Sequence, residues 1–156
     1  KMAPHVSKRV GQTAASVLVG EMREMSPTPL FILLCSGEHQ KIQMAAMTAS
    51  VAAVSERPVS VMVSMSAIYA FARGVPNQER YEGSAFSKLM LERKVPDPLA
   101  LFSQGKMLGD LKMYVCSMAL DVAGWSQDDL VEDLFDDVVG LTMFLNQAET
   151  GQFITL

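Results

Sequence analysis

The sequence predicts an α/β protein in which helices cover both sides of a mostly parallel sheet of about five strands. Short apolar runs of strand length alternate with longer helix-like segments, the pattern of successive βα units. Pro and Gly residues separate these segments, as expected for the connecting turns. A length of 156 residues fits one domain with a real core. We therefore predict a single domain over residues 30–156 after an N-terminal arm, residues 1–29.

Five segments are predicted to form strands. The strongest are apolar or β-branched runs with no alternation of polar residues, which indicates burial on both faces of a sheet. Each is bounded by Pro, Gly or Ser. The predicted strands are Leu30–Cys35, Pro58–Met65, Leu111–Cys116, Asp137–Val139 and Phe153–Leu156.

The segments between them are predicted to be helical. Residues 38–55 are rich in Ala and Met and contain neither Gly nor Pro, which favours a helix that packs closely on the sheet. Ser126 opens a capping-box-like SQDD motif, so an acidic helix is predicted from there to Phe135. The remaining predicted helices are residues 16–25 in the arm, Ser66–Arg73, Ala85–Arg93, Pro98–Leu108, Ser117–Ala123 (a turn or short helix) and Gly140–Glu149.

Composition argues against several classes of protein. The formal net charge is −4 and the only basic clusters are Lys8-Arg9 and Arg93-Lys94, whereas nucleic-acid binding normally needs a basic stripe. No apolar run approaches the roughly 20 residues that cross a bilayer. Residues 10–20 lack the continuous apolar core of a secretory signal. We expect a cytoplasmic protein that binds no nucleic acid and has no membrane span.

Sequence motifs indicate neither a cofactor nor a metal. The chain lacks the glycine-rich dinucleotide and P-loop motifs, the nucleophile elbow of hydrolases and the zinc-protease helix motif. Its two cysteines, Cys35 and Cys116, form no CxxC or Cys/His spacing. Reduced thiols in a cytoplasmic protein are the simpler interpretation.

Both cysteines end predicted strands, and chemistry in such sheets gathers beyond the carboxyl ends of the strands. A helix that starts directly after Cys116 would stabilise its thiolate through free N–H groups and the helix dipole. Such a thiolate attacks sulfane sulfur or a disulfide and holds the product as a persulfide. The alternative interpretation is that Cys116 is a small buried hydrophobe.

Five further residues are candidates for a supporting role. Cys35 continues an apolar run and is either structural or a second, resolving thiol. Ser36 and Gly37 precede a predicted helix and offer backbone donors to an anion such as thiosulfate. His39 tunes a thiol or donates a proton, or else is a solvated residue at a helix start. Asp121 is interpreted as a structural carboxylate that caps or bonds the loop after Cys116.

The acidic residues after Trp125 match no calcium-binding loop. They are interpreted as a solvated helix face that would also suit a basic partner. This cluster comprises Asp128, Asp129, Glu132, Asp133, Asp136 and Asp137.

The segment Cys116–Gly124, CSMALDVAG, resembles the Cys-[Thr/Ser]-Met-Ser-Met-Asp-Val-Met-Gly segment of DsrE-like proteins of sulfur metabolism. The strand that ends before Ser36-Gly37, the second strand and the Gly140-led terminal helix also fit that family, over residues 30–156. Ala119, Leu120 and Ala123 depart from its pattern. A second cysteine shortly before Cys116, which some members use, is missing.

The resemblance implies a flavodoxin-like fold, a homo-oligomer and a cysteine that accepts sulfane sulfur or thiosulfate. That sulfur passes to or from TusA-like carriers or rhodaneses. Cys116 takes the acceptor position by residue-by-residue match, and Ser117 beside it joins the supporting candidates. The hypothesis is therefore a sulfur carrier or sulfurtransferase that works on a cysteine persulfide or thiosulfonate.

Two alternatives remain open from the sequence. One is a non-catalytic ligand-binding or scaffold module in which Cys116 is structural. The other is a thiol redox protein with a Cys35–Cys116 disulfide, which requires Cα atoms within about 7 Å.

Overall fold

The computed structural model of the protein describes residues 13–15 and 27–156 and contains one five-stranded, all-parallel sheet. The predicted three-layer α/β/α architecture is confirmed. The predicted arm helix over residues 16–25 lies outside the described residues. The strands are β1 (Leu30–Leu34), β2 (Val59–Val63), β3 (Leu111–Cys116), β4 (Asp137–Val139) and β5 (Gln152–Thr155).

The spatial strand order is β4-β3-β2-β1-β5. Successive strands β1 to β4 add on one side, and β5 then returns to pair with β1 on the other side. This order differs from that of flavodoxin itself, but it obeys the same rule for doubly wound sheets. The reversal lies between β1 and β5, so the loop that follows β1 lies at the topological switch point.

Five α-helices connect the strands, close to the predicted bounds. They are α1 (His39–Val54), α2 (Ala85–Glu92), α3 (Pro98–Leu108), α4 (Ser117–Ala123) and α5 (Leu141–Ala148). The segment predicted as a helix after β2 forms a 3-10 helix instead, Met65–Phe71. Within the described ranges, no helix is long and apolar enough to cross a bilayer.

Each face of the sheet is covered by different helices. The register aligns Leu30 with Val59 and Val59 with Leu111, and the Leu111 side chain reaches Gly105 of α3. The side chains of Leu30, Val59 and Leu111 therefore point toward α1 and α3. The next residue along β1, Phe31, points the other way, because its ring packs edge-on against Phe144 of α5 at a centroid distance of 5.9 Å.

Helices α1 and α3 approach each other closely. A Cβ atom on Gly109 would overlap the backbone carbonyl of Ala53, and one on Gly105 would lie 3.2 Å from the Cα of Ser50. The side of α1 that faces the sheet consists of small, almost fully buried residues, as the Ala-rich sequence predicts: Ala45, Ala46, Ala49 and Ala53. Small residues let the helix backbones sit near the sheet and near each other.

The prediction of an acidic helix from Ser126 to Phe135 is wrong. Its capping box is present, but only a three-residue 3-10 turn, Gln127–Asp129, follows. The chain then becomes extended, and the Val131 N–H donates to the Phe71 carbonyl at 2.8 Å. The backbone after Asp129 therefore bonds to the end of the 3-10 helix and does not form helical hydrogen bonds. Here a tertiary contact outweighs the local helix propensity.

Candidate functional site

Cys35, Ser64 and Cys116 form a row across the carboxyl edge of the sheet, which we call the thiol row. The residues before them are paired in register across three strands: Leu34, Val63 and Val115. Side chains alternate along a strand, so the thiol row points to the α5 face. With β2 between the two thiols, two strand spacings separate them, about 9.5 Å.

Cys116 is the last residue of β3 and immediately precedes α4. It pairs with Val139 of β4 and is only 4% exposed within the hydrophobic core. Its backbone is extended, in the N-cap position, and its side chain makes no capping hydrogen bond. The sulfur therefore makes no hydrogen bond that caps the helix, but little of its surface is accessible to a reagent.

Cys35 is more exposed than Cys116. It is partly exposed, just beyond β1, and its N–H donates to the Leu156 carbonyl at 2.8 Å. Burial raises the pKa of the Cys35 thiol, and the charge interaction with Cys116 raises that pKa further. Cys35 is therefore easier to reach, but it is held in the protonated, less nucleophilic form.

The Ser36-Gly37 loop is occupied by contacts within the protein. Ser36 Oγ accepts the Glu38 N–H at 3.1 Å, and the Gly37 carbonyl accepts the Glu82 N–H at 3.0 Å. A Cβ atom on Gly37 would lie 3.0 Å from Glu82 Oε1, so the carboxylate of Glu82 lies against this loop. Its negative charge disfavours the anion-binding role predicted for Ser36 and Gly37.

His39 is buried rather than solvated, at 3% exposure. Its Nδ1 lies 2.6 Å from Ser87 Oγ of α2, and its ring stacks on Tyr81 at a centroid distance of 4.6 Å. Burial lowers the pKa of His39, against the opposing influence of Asp97 and Glu38. Within residues 27–156, neither thiol is among its hydrogen-bond or ring partners.

The two candidates on α4 have different surroundings. Ser117 is half-buried beside Cys116, whereas Asp121 is exposed. The bond that closes α4 runs from the Gly124 N–H to the backbone carbonyl of Asp121 at 3.2 Å. In the described part of the chain the Asp121 carboxylate itself has no hydrogen-bond partner, so the predicted capping role is not found.

An exposed apolar surface lies where α4 meets the 3-10 helix, and we call it the Met65 patch. Met65, Tyr69, Met118 and Val122 are each at least half exposed and line an apolar cavity of about 190 Å³. The Trp125 ring packs edge-on against the Tyr69 ring at a centroid distance of 5.1 Å. Part of this apolar surface therefore belongs to α4, the helix that starts directly after Cys116.

Four residues around His39 were missed by the sequence analysis: Tyr81, Glu82, Ser87 and Asp97. Only Asp97 carried a visible signal, since an Asp before a Pro at the start of a helix is a typical N-cap. Its carboxylate accepts the Leu99 N–H at 2.9 Å. The others meet His39 or its loop from more than 40 positions away in the chain, a proximity that no local pattern reveals.

No set of three or more His, Cys, Asp or Glu residues in the described ranges is arranged to hold a metal ion. No protein-family model matches the chain, and no curated protein matches it. One solved structure similar to this fold is that of a protein of unknown function, MTH1491 from Methanobacterium thermoautotrophicum. The similarity has a TM-score of 0.54 at 17% sequence identity and covers 83% of this chain and 99% of that protein. At that identity the likeness establishes the fold.

Proposed function

We propose that this protein carries sulfur on Cys116 and exchanges it with a TusA-like carrier or a rhodanese in the cytoplasm. The observation that supports this most is the position of Cys116, the last residue of β3 in the segment that resembles the DsrE-like motif. Doubly wound sheets perform their chemistry at this edge. The Met65 patch adds an apolar surface, partly on the helix that follows Cys116, on which a partner protein can dock.

The chemistry requires only thiol exchange. The Cys116 thiolate attacks the outer sulfur of a donor persulfide; the donor's S–S bond breaks and its thiolate leaves. Cys116 then holds a persulfide, whose terminal sulfur is attacked by a partner's cysteine thiolate, which restores the Cys116 thiolate. With tetrathionate, attack on a central sulfur leaves a thiosulfonate on Cys116 and releases thiosulfate. Both routes balance without an added oxidant.

The low exposure of Cys116 gives this proposal a consequence. A thiol that is 4% exposed reacts slowly with bulky reagents, whereas a small sulfur donor needs little room. Cys35 is more exposed, but burial raises its pKa and so reduces its reactive thiolate. We expect small sulfane donors to load Cys116 and bulky alkylating reagents to modify Cys35 first.

The test is intact-protein mass spectrometry after incubation with polysulfide and, separately, with tetrathionate. We expect a sulfur or thiosulfate adduct on the wild type and on Cys35→Ser, and none on Cys116→Ser. Cys35→Ser is the matched control because it removes the other thiol of the same row. An adduct that persists in Cys116→Ser contradicts the proposal.

The second candidate function is a binding or assembly module, favoured by the burial of Cys116 and by the exposed Met65 patch. An absence of adducts on all three proteins would support this candidate. The disulfide alternative has less support, because a separation of about 9.5 Å exceeds the Cα limit of about 7 Å. We expect a titration of free thiols to find both cysteines reduced after mild oxidation.

A further inference from the structure

A second cavity, of about 190 Å³, lies beside His39 and has a different chemical character. Its polar wall includes His39, Gln43 and Asp97, and its apolar wall includes Met90, Val95 and Pro98. His39 and Gln43 are themselves almost fully buried, at 3% and 4% exposure. Buried polar groups that converge with apolar groups on one cavity are typical of small-molecule sites.

The hydrogen-bonding state of His39 follows from its partner. In the described residues, the one hydrogen-bond partner of the Ser87 hydroxyl is His39 Nδ1, at 2.6 Å, and a buried hydroxyl proton needs an acceptor. Ser87 therefore donates to Nδ1, and the neutral ring carries its proton on Nε2. Burial lowers the pKa of His39 and favours the same neutral ring.

The Nε2–H group is the second hydrogen-bonding group of the His39 ring. It has no hydrogen-bond partner in the described chain, yet no side-chain nitrogen or oxygen there is both buried and unpartnered. Nε2 must therefore reach accessible space, and His39 lines this cavity. The ring thus offers one fixed donor to whatever enters.

Acceptors are fixed on the same wall. Asp97 Oδ1 accepts the Tyr81 hydroxyl at 2.8 Å and keeps a second lone pair, whereas Oδ2 accepts the Leu99 and Ala100 N–H groups that it caps. Gln43 Nε2 donates to the Pro96 carbonyl at 3.0 Å, which leaves its amide oxygen as an acceptor. Because Tyr81 both stacks on His39 and bonds Asp97, it holds the donor and the carboxylate in one rigid frame.

We propose that this cavity binds a one-ring nitrogen heterocycle of the aminopyrimidine type. A ring nitrogen or carbonyl of the ligand accepts from His39 Nε2–H, an exocyclic amine donates to Asp97, and the ring faces contact Met90 and Val95. A cavity of roughly 150 Å³ already holds benzene, so the volume suits one ring and its substituents. The site is independent of the thiols and of the proposed sulfur chemistry.

The experiment is an NMR titration with cytosine, observing the His39 ring nitrogens and the Met90 methyl group. We expect saturable shifts at both residues, and a loss of affinity of about tenfold or more in Asp97→Asn, since the amide that caps α3 through its oxygen turns an NH2 donor, in place of an acceptor, toward the ligand's amine. Asn still caps α3, so the variant is expected to fold. Asp136→Asn is the matched control, a carboxylate with a backbone partner outside this cavity, and it should bind as the wild type does.

Three results would overturn the proposal. Shifts that do not saturate would show that cytosine does not bind. Equal binding of cytosine and toluene, unchanged in Asp97→Asn, would show that the cavity takes apolar rings without using its polar wall. A long-range proton–nitrogen spectrum that finds the His39 proton on Nδ1 would remove the donor on which the recognition rests.

Discussion

Within residues 27–156, the two faces of the sheet differ in how completely they are covered. Toward α1 and α3, three rows of aliphatic side chains are almost fully excluded from solvent: Leu30, Ile32 and Leu34 of β1, Val59, Val61 and Val63 of β2, and Leu111, Met113 and Val115 of β3. Toward α5, the corresponding rows include Ser60 and Tyr114, which are half-buried, and Lys112, which is exposed. Both thiols belong to this second face.

The face toward α1 and α3 therefore contributes most to stability, whereas the thiols lie on the face toward α5. Parallel sheets usually need cover on both faces, but in the described part of the chain α5, the helix on the second face, has only eight residues. Phe31, Met62 and Phe144 are buried on the α5 side, but the uninterrupted rows of buried aliphatic side chains lie on the closed face, between the sheet and α1 and α3. The α5 face can carry polar and reactive side chains because the fold depends on it less.

The largest effect is expected from truncating a ring on the closed face. Phe102→Ala on α3 removes a fully buried side chain and should lower the free energy of unfolding by about 3–5 kcal/mol. Phe153→Ala on β5, where the ring is 43% exposed, should cost much less. Urea denaturation of both variants measures the difference, and equal losses would refute the contrast between the faces.

A smaller loss is expected from added volume between α1 and α3. Gly109→Ala introduces a Cβ atom against the Ala53 carbonyl, and overpacking of this kind costs about 1–3 kcal/mol. Gly140→Ala, just before α5, is the control because nothing lies within 4 Å of the added atom. Thermal unfolding should show a lower Tm for Gly109→Ala alone. A similar drop in both variants would mean that the close approach is not the cause.

A loss of about 1 kcal/mol is expected from Asp136→Asn. Asp136 Oδ2 accepts from Lys106 Nζ at 2.6 Å and from the Met113 N–H at 2.8 Å, and so ties α3 to β3. Burial alone would raise the pKa of Asp136, but these hydrogen bonds outweigh it and lower the pKa. Its stabilisation is therefore present above the unfolded pKa of about 3.9 and lost as the pH falls below it.

The comparison for Asp136→Asn is Asp121→Asn, an exposed carboxylate on α4. It should change stability by no more than about 0.5 kcal/mol. Denaturation at neutral pH and near pH 3 distinguishes the two positions. If Asp136→Asn kept the acid sensitivity of the wild type, the carboxylate would not contribute as described.

The smallest effect concerns His39, whose polar surroundings lie next to the closed face. Its pKa is lowered in the folded protein, so the unfolded chain takes up the proton first. Stability should then fall as the pH drops below about 6.5, until the folded pKa is passed. His39→Gln should lack this component, measured as the difference between the two proteins in urea denaturation. Identical pH profiles above the carboxylate range would contradict it.

Much of the fold was predictable because its signals are local. The runs LFILL and VSVMV are too apolar for a half-exposed strand, and the Gly- and Pro-free stretch of α1 favours a helix. The acidic segment after Trp125 was mispredicted because its backbone pairs with Phe71, a partner that lies far away in the sequence. Helix propensity cannot report such a contact.

The candidate site was predictable only in part, for the same reason. The strand-end positions of both cysteines follow from the apolar runs, and parallel strands bring those ends to one edge. The burial of His39 against Ser87 and Tyr81, and the Glu82 carboxylate over Gly37, depend on the path of residues 77–84. That segment is polar, and its sequence indicates a loop without indicating where the loop packs.

The pairing of β1 with β5 has a consequence for biosynthesis. The two strands are neighbours in the sheet but lie more than a hundred residues apart in the chain, so their hydrogen bonds form only after the rest of the domain has been synthesised. Until then, LFILL is an open and apolar sheet edge, the kind of surface that pairs with other chains and aggregates. During translation β1 is therefore a strand with an unpaired edge, although in the finished protein it lies in the interior of the sheet.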